Sequence, residues 1–132
     1  MRSNGGILNS QLSRVISETG HTDLLVVTDA GLPIPPPVER VDLAIRAGLP
    51  RFLDVLDAVL GEVVVERITL SEEIGAASPE MLDAILARFP GMEPRFVPHV
   101  EFKKRTQQAR AAVRSGEFTP FANVILTAGV AY

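Results

Sequence analysis

Hydrophobic positions along the chain change between helix-like and strand-like spacing. The first helix is predicted from apolar residues that share one helical face: Leu8, Leu12, Val15 and Ile16. Asn9 or Ser10 is the candidate N-cap, and Gly20 is expected to end the helix in the left-handed conformation. The apolar run at 24–27 then predicts a short strand that is buried on both faces.

The same alternation continues along the rest of the chain. Apolar spacing predicts three more helices, which start at Pro50, at Ser78-Pro79-Glu80 and at Glu101 and extend over 50–60, 78–89 and 101–109. Further strands are predicted at 41–45, 63–70, 95–98, 112–114 and 124–130. Strands that alternate with helices indicate an α/β fold, a layered domain with a largely parallel central sheet flanked by helices. Since no repeat or linker divides the chain, we expect one domain over residues 1–132.

Composition and charge narrow the classes of function. The net charge of -3 argues against the basic surface of a nucleic-acid-binding protein. The chain has no cysteine, which excludes disulfides and thiolate chemistry and suits a reducing cytosol. No apolar run approaches the roughly 20 residues that span a membrane, and no secretory signal is visible. We therefore expect a cytoplasmic protein that binds neither nucleic acid nor membrane.

Histidine is the side chain that ordinarily titrates near neutrality, and this chain has two. His21 follows Gly20 and lies just before the first predicted strand, so the scaffold positions it while solvent can reach it. It is either a proton-transfer group or a structural histidine at a helix C-terminus, where the helix dipole favours a cation. The residues alone leave both interpretations open.

Other candidate side chains follow predicted strands or begin a predicted helix. Asp29 lies at the carboxyl end of the first strand, where open α/β sheets bind ligands, although Asp also commonly begins a turn. His99 precedes Lys103 by one helical turn, and a lysine there could form a Schiff base or simply carry solvated charge. In the loop at 116–123, Phe121 offers an aromatic face and Asn123 offers both donors and an acceptor.

The spacing of possible ligands gives no sign of a metal or nucleotide site. The two histidines are far apart, and the carboxylates around them match no metal-site pattern. The glycines at 5–6 and 31 match no phosphate-binding loop. We expect no metal and no cofactor.

Taken as whole strings, several segments resemble the D-ribose pyranase family. They include Gly20-His21-Thr22-Asp23 and Asp29-Ala30-Gly31-Leu32-Pro33-Ile34-Pro35, together with residues 6–9, 48–50, 72–74, 99, 101–103, 116–123 and 128–130. These segments extend over nearly the whole chain in the right order. Any one of them would be weak, but together they are specific.

The resemblance implies a cytoplasmic, cofactor-free isomerase that interconverts the β-pyranose and β-furanose forms of D-ribose. It assigns His21 as the catalytic acid and Asp29 and His99 as sugar-binding residues. The segment Phe121-Ala122-Asn123 corresponds to the remaining sugar-binding positions, and Lys103 lies where the family has a lysine near the sugar. Members of the family also form ring-like homo-oligomers with the sugar site near the contact between subunits.

One position departs from the family pattern and leaves alternatives open. Phe121 stands where the family usually has tyrosine, so a phenol hydrogen bond is missing. This affects the expected substrate preference more than the reaction class. The alternatives are an L-fucose or other-sugar mutarotase, a non-catalytic sugar-binding accessory of a ribose uptake system, and a structural domain that binds no sugar.

The apolar content points to self-association. Hydrophobic residues make up 46% of the chain and the mean hydropathy is +0.21, which is high for a domain with a limited interior. The C-terminal segment, from Val124 to Tyr132, is also largely apolar. We expect a homo-oligomer whose site is completed across a subunit boundary, with His21 and Asp29 from one protomer and Asn123 from another.

Overall fold

The first helix begins as predicted but ends differently. In the computed structural model, which covers residues 1–132, α1 spans Ser10–Glu18, and the side chain of Asn9 accepts a hydrogen bond from the backbone N–H of Leu12 at 2.9 Å. The prediction of a left-handed Gly20 is wrong, because Thr22 takes the positive φ, at 71°. The N–H of Gly20 instead donates to the Asp23 carboxylate at 2.9 Å, which closes a polar turn before the first strand.

The remaining elements occur in the predicted order with shifted ends. The strands are β1 (Leu24–Thr28), β2 (Glu39–Asp42), β3 (Val65–Ser71), β4 (Arg95–Val97), β5 (Ala111–Arg114) and β6 (Val124–Ala128). The helices after α1 are α2 (Phe52–Leu60), α3 (Ile74–Ala77), α4 (Pro79–Leu86) and α5 (His99–Thr106).

Several boundaries differ from the predictions for local reasons. The strand predicted at 41–45 ends at Asp42, because the Asp42 carboxylate accepts the N–H of Ala44 at 3.1 Å and turns the chain. The short helix α3 was not predicted. Ser78 precedes α4 without capping it, since its hydroxyl donates to the carbonyl of Pro120 at 2.7 Å. Helix α5 begins two residues early, at His99.

The six strands form one sheet in the order β2-β5-β1-β6-β3-β4. β6 runs antiparallel to both of its neighbours, β1 and β3, while the other pairs are parallel. Five strands therefore point the same way, which confirms the largely parallel sheet. All five carboxyl ends, together with the start of β6, lie at one edge of the sheet, which we call the carboxyl edge; the opposite edge is the amino edge.

The two faces of the sheet are covered unequally. On one face, helices α1 to α4 pack over the larger core, a cluster of 19 buried residues that includes Leu25, Phe52 and Leu126. On the other face, α5 and the segment around Leu32 cover a cluster of only eight, centred on Val26 and Phe102. The sheet is thus a rigid platform whose two edges present the candidate residues. None of the helices is long and apolar enough to span a membrane.

Candidate functional site

Most of the candidate residues meet at the carboxyl edge of the sheet. Asp29 follows β1, His99 follows β4, and Asn123 precedes β6. β1 and β6 are adjacent and antiparallel, so the end of one lies beside the start of the other, with Val27 paired to Val124. Residues that are distant in sequence are therefore brought together within one chain.

Asp29 and Asn123 are joined by two hydrogen bonds. The backbone N–H of Asp29 donates to Oδ1 of Asn123 at 2.8 Å, and Nδ2 of Asn123 donates to Oδ2 of Asp29 at 3.2 Å. The other carboxylate oxygen, Oδ1, accepts the N–H groups of Gly31 and Leu32 at 3.0 and 2.8 Å. Asn123 is almost fully buried. The amide thus holds the carboxylate in place, and the carboxylate in turn shapes the loop that follows β1.

His99 is held at the first position of α5 by the end of β3. Its Nδ1 lies 2.8 Å from the hydroxyl of Ser71, and its backbone N–H donates to the Glu73 carboxylate at 3.0 Å. Burial lowers the pKa of His99, and the nearby charge of Lys103 lowers it further, against the opposing effect of Glu73 and Asp29. The lowered pKa favours the neutral form of His99 at pH 7. Its Nε2 makes no hydrogen bond within the chain and is free to contact a ligand.

The loop before β6 carries Phe121 against His99. The two rings lie edge to face, with centroids 5.0 Å apart. Phe121 adopts a φ of 62°, a strained conformation for a bulky residue that costs about 1–3 kcal/mol. Ala122 is fully buried and packs into the larger core, so only its backbone is near the site.

Glu117 braces this loop from within. Its carboxylate accepts the backbone N–H of Phe52 at 3.0 Å and the hydroxyl of Thr119 at 2.8 Å. Burial favours the neutral acid, but these hydrogen bonds outweigh it and lower the pKa of Glu117. Sequence reasoning missed this role, because nothing in a Gly-Glu-Phe string shows which distant N–H the carboxylate meets.

Lys103 lies one turn after His99 on α5 and is exposed. A groove of about 420 Å³ separates it from the proline-rich segment, with Pro33, Pro35 and Val100 among its other lining residues. Its charge reaches His99, but its amine makes no hydrogen bond within the chain. The position suits a contact to a ligand bound beside His99.

His21 lies at the opposite, amino edge of the sheet. The turn that carries it is fixed by a hydrogen bond from the N–H of Thr22 to the carbonyl of Ala128 at 2.9 Å. Its Nε2 lies 2.9 Å from Oε2 of Glu66, and its side chain is 52% exposed. Asp23, in the same turn, pairs with Arg110 at 2.9 Å, and its pKa is lowered by the N–H of Gly20 and by Arg110.

The length of β1 separates the two groups of candidates. Six residue steps from Asp23 to Asp29 along an extended strand span about 20 Å, far more than two side chains can bridge. The cavity that contains Asp29, of about 320 Å³, is lined by residues of the carboxyl edge and includes neither His21 nor His99. The expected grouping of His21 with Asp29 is therefore wrong. Asp29 lies beside Asn123 at the carboxyl edge, whereas His21 lies at the amino edge, away from the other candidate residues.

The structure contains no group of three or more histidine and carboxylate side chains arranged to hold a metal ion. Ser71, Glu66 and Glu73 are the polar partners of the two histidines, and sequence reasoning did not assign any of them. Glu73 lay within a segment that carried the family resemblance, which was the one available signal.

Comparison with known proteins identifies the family of this chain. Residues 2–131 match the family described as the RbsD / FucU transport protein family. The chain belongs to this family. It is 50% identical over 125 residues to a D-ribose pyranase of Geobacillus thermodenitrificans, with 95% of each chain covered. It is 51% identical over 127 residues to a D-ribose pyranase of Laribacter hongkongensis, with coverage of 96% of this chain and 97% of the relative.

Solved structures of the RbsD/FucU family share the fold. Bacillus subtilis RbsD, solved in complex with D-ribose, superposes with a TM-score of 0.95 at 42% identity over 100% of both chains. FucU from Bifidobacterium longum gives a TM-score of 0.79 at 23% identity, covering 95% of this chain and 97% of its own. The second likeness concerns the fold alone. The RbsD branch is thus much nearer to this chain than the FucU branch.

Proposed function

We propose that this protein is a D-ribose pyranase, an isomerase that interconverts the β-pyranose and β-furanose forms of D-ribose by opening and closing the ring. The observation that carries the proposal is the near-full-length identity of about half to proteins named D-ribose pyranase. The arrangement of His99 with its lowered pKa, fixed Asp29 and exposed His21 supports it, because these are the groups that such a reaction needs.

The chemistry asks only for proton transfer and orientation. Ring opening removes a proton from the anomeric hydroxyl, forms the C1 carbonyl, breaks the bond from C1 to the ring oxygen and adds a proton to that oxygen. Closure through a different hydroxyl reverses these steps, so the composition of the sugar is unchanged. A positioned acid or base contributes about 10²–10⁴-fold. That is an adequate acceleration for a ring opening that already proceeds slowly in water.

The two sheet edges take different parts in this proposal. At the carboxyl edge, Asp29, held in place by the buried Asn123, and the free Nε2 of His99 offer hydrogen bonds to sugar hydroxyls. Phe121 offers an apolar ring surface. At the amino edge, His21 is the exposed group that transfers a proton. Because about 20 Å of strand separates the edges, a complete site needs His21 of a second copy beside the carboxyl edge of the first. We therefore include a homo-oligomer in the proposal.

The test is saturation-transfer NMR of D-ribose with and without the protein. We expect faster exchange between the pyranose and furanose signals, unchanged after dialysis against EDTA. L-Fucose in a parallel sample should exchange at its spontaneous rate; preferential acceleration of L-fucose would instead support a fucose mutarotase. Ribose binding without faster exchange would support a non-catalytic accessory and contradict the proposal.

His21→Ala checks the proton-transfer group. The side chain is half exposed and makes a single hydrogen bond, so we expect an unchanged thermal unfolding curve and loss of most of the exchange rate. His21→Asn should behave in the same way. A folded Ala variant that keeps the wild-type rate would move the role away from His21.

We also propose a cytoplasmic location, from the resemblance and from a chain without cysteine. Fractionation of cells that express the protein at its natural level should recover it with cytoplasmic markers. Recovery in a secreted or membrane fraction would contradict this part of the proposal.

A further inference from the structure

A carboxylate that none of the sequence motifs singled out lies against the exposed histidine. Oε2 of Glu66 is 2.9 Å from Nε2 of His21, although the two residues are 45 positions apart. We propose that Glu66 is the positioning residue of His21: it fixes which ring nitrogen carries the proton and aims the other at the sugar. This inference rests on the proposed function of His21 as the proton-transfer group.

The backbone around Glu66 is built to bring the two side chains together. Val65 pairs with Ala128, whereas Arg67 pairs with Thr127, so Glu66 is the extra residue of a β-bulge in β3. A bulge redirects side chains and is frequent beside active sites. Without it, alternation along β3 alone would decide where this carboxylate points.

The turn of His21 is fixed to the same point of β6 as the bulge. The carbonyl of Ala128 accepts the N–H of Thr22, and the N–H of Ala128 donates to the carbonyl of Asp23, both at 2.9 Å. Ala128 also pairs with Val65, which precedes Glu66. Backbone hydrogen bonds to Ala128 thus fix the turn of the histidine, and the carboxylate follows the residue that pairs with Ala128 in the sheet. The contact therefore does not depend on two flexible surface side chains meeting by chance.

Space at the contact is kept open by a glycine. A Cβ built on Gly129 would lie 3.3 Å from the Cβ of Glu66 and 3.2 Å from Cγ1 of Val64, closer than ordinary contact. The backbone N–H of Gly129 donates to the carbonyl of Val64 at 2.8 Å. The end of β6 therefore packs directly against the residue that holds the histidine.

The hydrogen bond determines the protonation pattern of the imidazole. An ionised carboxylate has no proton to give, so Nε2 of His21 must be the donor and carries hydrogen. Nδ1 is then the nitrogen that accepts a proton from the sugar and returns it. During this exchange the carboxylate of Glu66 lies opposite the transient imidazolium and stabilises it, while it prevents rotation of the ring.

The contact between His21 and Glu66 contributes little to the stability of the fold. The side chains of His21 and Glu66 are 52% and 39% exposed, and exposed pairs of this kind contribute little to folding. Removal of the carboxylate should therefore leave the fold intact and change the reaction.

The experiment compares Glu66→Ala and Glu66→Gln with Glu18→Ala, the matched control. Glu18 is a similarly exposed carboxylate that pairs with Arg14 at 3.0 Å on α1. We expect Glu66→Ala to lower kcat by about 10- to 100-fold with little change in KM, since the histidine remains and a positioned acid or base contributes about 10²–10⁴-fold in all. Glu66→Gln, which keeps an acceptor oxygen, should fall between Ala and wild type. Glu18→Ala should match wild type.

Two further measurements separate positioning from a general effect. In the His21→Ala background, adding Glu66→Ala should cause no further loss, because a residue that acts through His21 has nothing left to act on. The ¹⁵N shifts of His21 should report protonation at Nε2 in the wild type and a shift toward the mixed tautomers of a free imidazole in Glu66→Ala. This NMR result does not depend on which sugar is the substrate.

The outcomes are distinguishable. Wild-type kcat in folded Glu66→Ala, an additive loss in the double variant, or unchanged ¹⁵N shifts would each overturn the positioning role. Absence of ribose exchange in the wild type, with the expected ¹⁵N change in Glu66→Ala, would overturn the proposed function while leaving the hydrogen-bonding role of Glu66 in place.

Discussion

Asn123 and Asp29 exchange two hydrogen bonds across the boundary between β6 and β1, one to the backbone N–H of Asp29 and one to its carboxylate, at 2.8 and 3.2 Å. The pair connects residues 94 positions apart. In the proposed function, it completes one half of the sugar site within a single chain. The antiparallel β6 brings the last loop of the protein beside the end of the first strand.

Replacing Asn123 by alanine should destabilise the fold as well as the site. The N–H of Asp29 would lose its partner in a partly buried position, at a cost of about 1–3 kcal/mol in the free energy of unfolding. Urea denaturation measures this change, with the exposed Asn4→Ala as a control that should stay within about 0.5 kcal/mol of wild type. A similar small effect for Asn123→Ala would show that the amide does not hold the loop.

The pKa of His99 should depend on one lysine and not on its neighbour. The charge of Lys103, which lies four residues after His99 on the same face of α5, lowers this pKa after the larger effect of burial. Lys104, five residues after His99, lies on a different face of the helix. Lys103→Met should therefore raise the pKa of His99, and Lys104→Met should leave it in place. Because the chain has two histidines, ¹H NMR titration resolves both signals, and His21→Ala assigns them. An equal response to both substitutions would contradict this electrostatic assignment.

The same lowered pKa has a consequence for stability at acid pH. As the pH falls, His99 in the unfolded chain is protonated near the ordinary pKa of 6.5. In the folded protein it is protonated only at a lower pH. The unfolded state therefore binds more protons just below pH 6.5, and the free energy of unfolding falls as the pH drops through that value. It levels off once the folded form is also protonated. Denaturation measured between pH 8 and 5 should show this step, and His99→Gln should reduce it.

Apart from the short helix α3, the order of helices and strands could be predicted from the sequence. Apolar spacing follows from which face of each element is buried, as in Leu12 and Val15 of α1. The local sequence does not predict the conformation where a hydrogen bond to a partner elsewhere in the chain determines it. The carboxylate of Asp23 accepts a hydrogen bond from the N–H of Gly20, and the residue with positive φ in this turn is Thr22 instead of Gly20. The hydroxyl of Ser78 donates a hydrogen bond to the carbonyl of Pro120, so it does not cap the helix that follows.

The candidate site shows the same division. Strings such as Gly20-His21-Thr22-Asp23 identified residues, but their grouping depended on strand direction. The antiparallel course of β6 places Asn123 beside Asp29, and nothing in the local sequence of 124–128 indicates its direction. The bulge at Glu66 cannot be predicted from the local sequence either, because a bulge is defined by the pairing of β3 with β6.

Phe121→Tyr should be tolerated and should tighten ribose binding. The ring contacts His99 edge to face and is only partly buried, so a hydroxyl can be added without filling the core. One net hydrogen bond would contribute about 0.5–1.5 kcal/mol to binding. Titration of ribose by calorimetry measures this gain, with Phe118→Tyr as the exposed control in the same loop. An unfolded or inactive Phe121→Tyr variant would show that the pocket is built around phenylalanine.

The last prediction concerns the subunit boundary. Since His21 and Asn123 lie at opposite edges of one sheet, the proposed site takes them from different protomers, and we expect two inactive variants to restore each other. Co-expressed His21→Ala and Asn123→Ala chains, mixed at random, should leave about one quarter of the sites with both wild-type halves. The exchange rate of the mixture, measured by NMR, should rise to that fraction of wild type. Light scattering should report several times the chain mass of 14.2 kDa.

The structure supplies a control that the sequence could not. Asp29 and Asn123 belong to the same half of the site, so co-expression of Asp29→Ala with Asn123→Ala leaves every carboxyl-edge half damaged, and no activity should return. Recovery in this second mixture would show that the two residues act in different sites. Failure of the first mixture, with both chains present in the same oligomers, would place His21 outside the site of the neighbouring copy. A fully active monomer of 14.2 kDa would refute the shared site altogether, because no single copy can bring the two edges together.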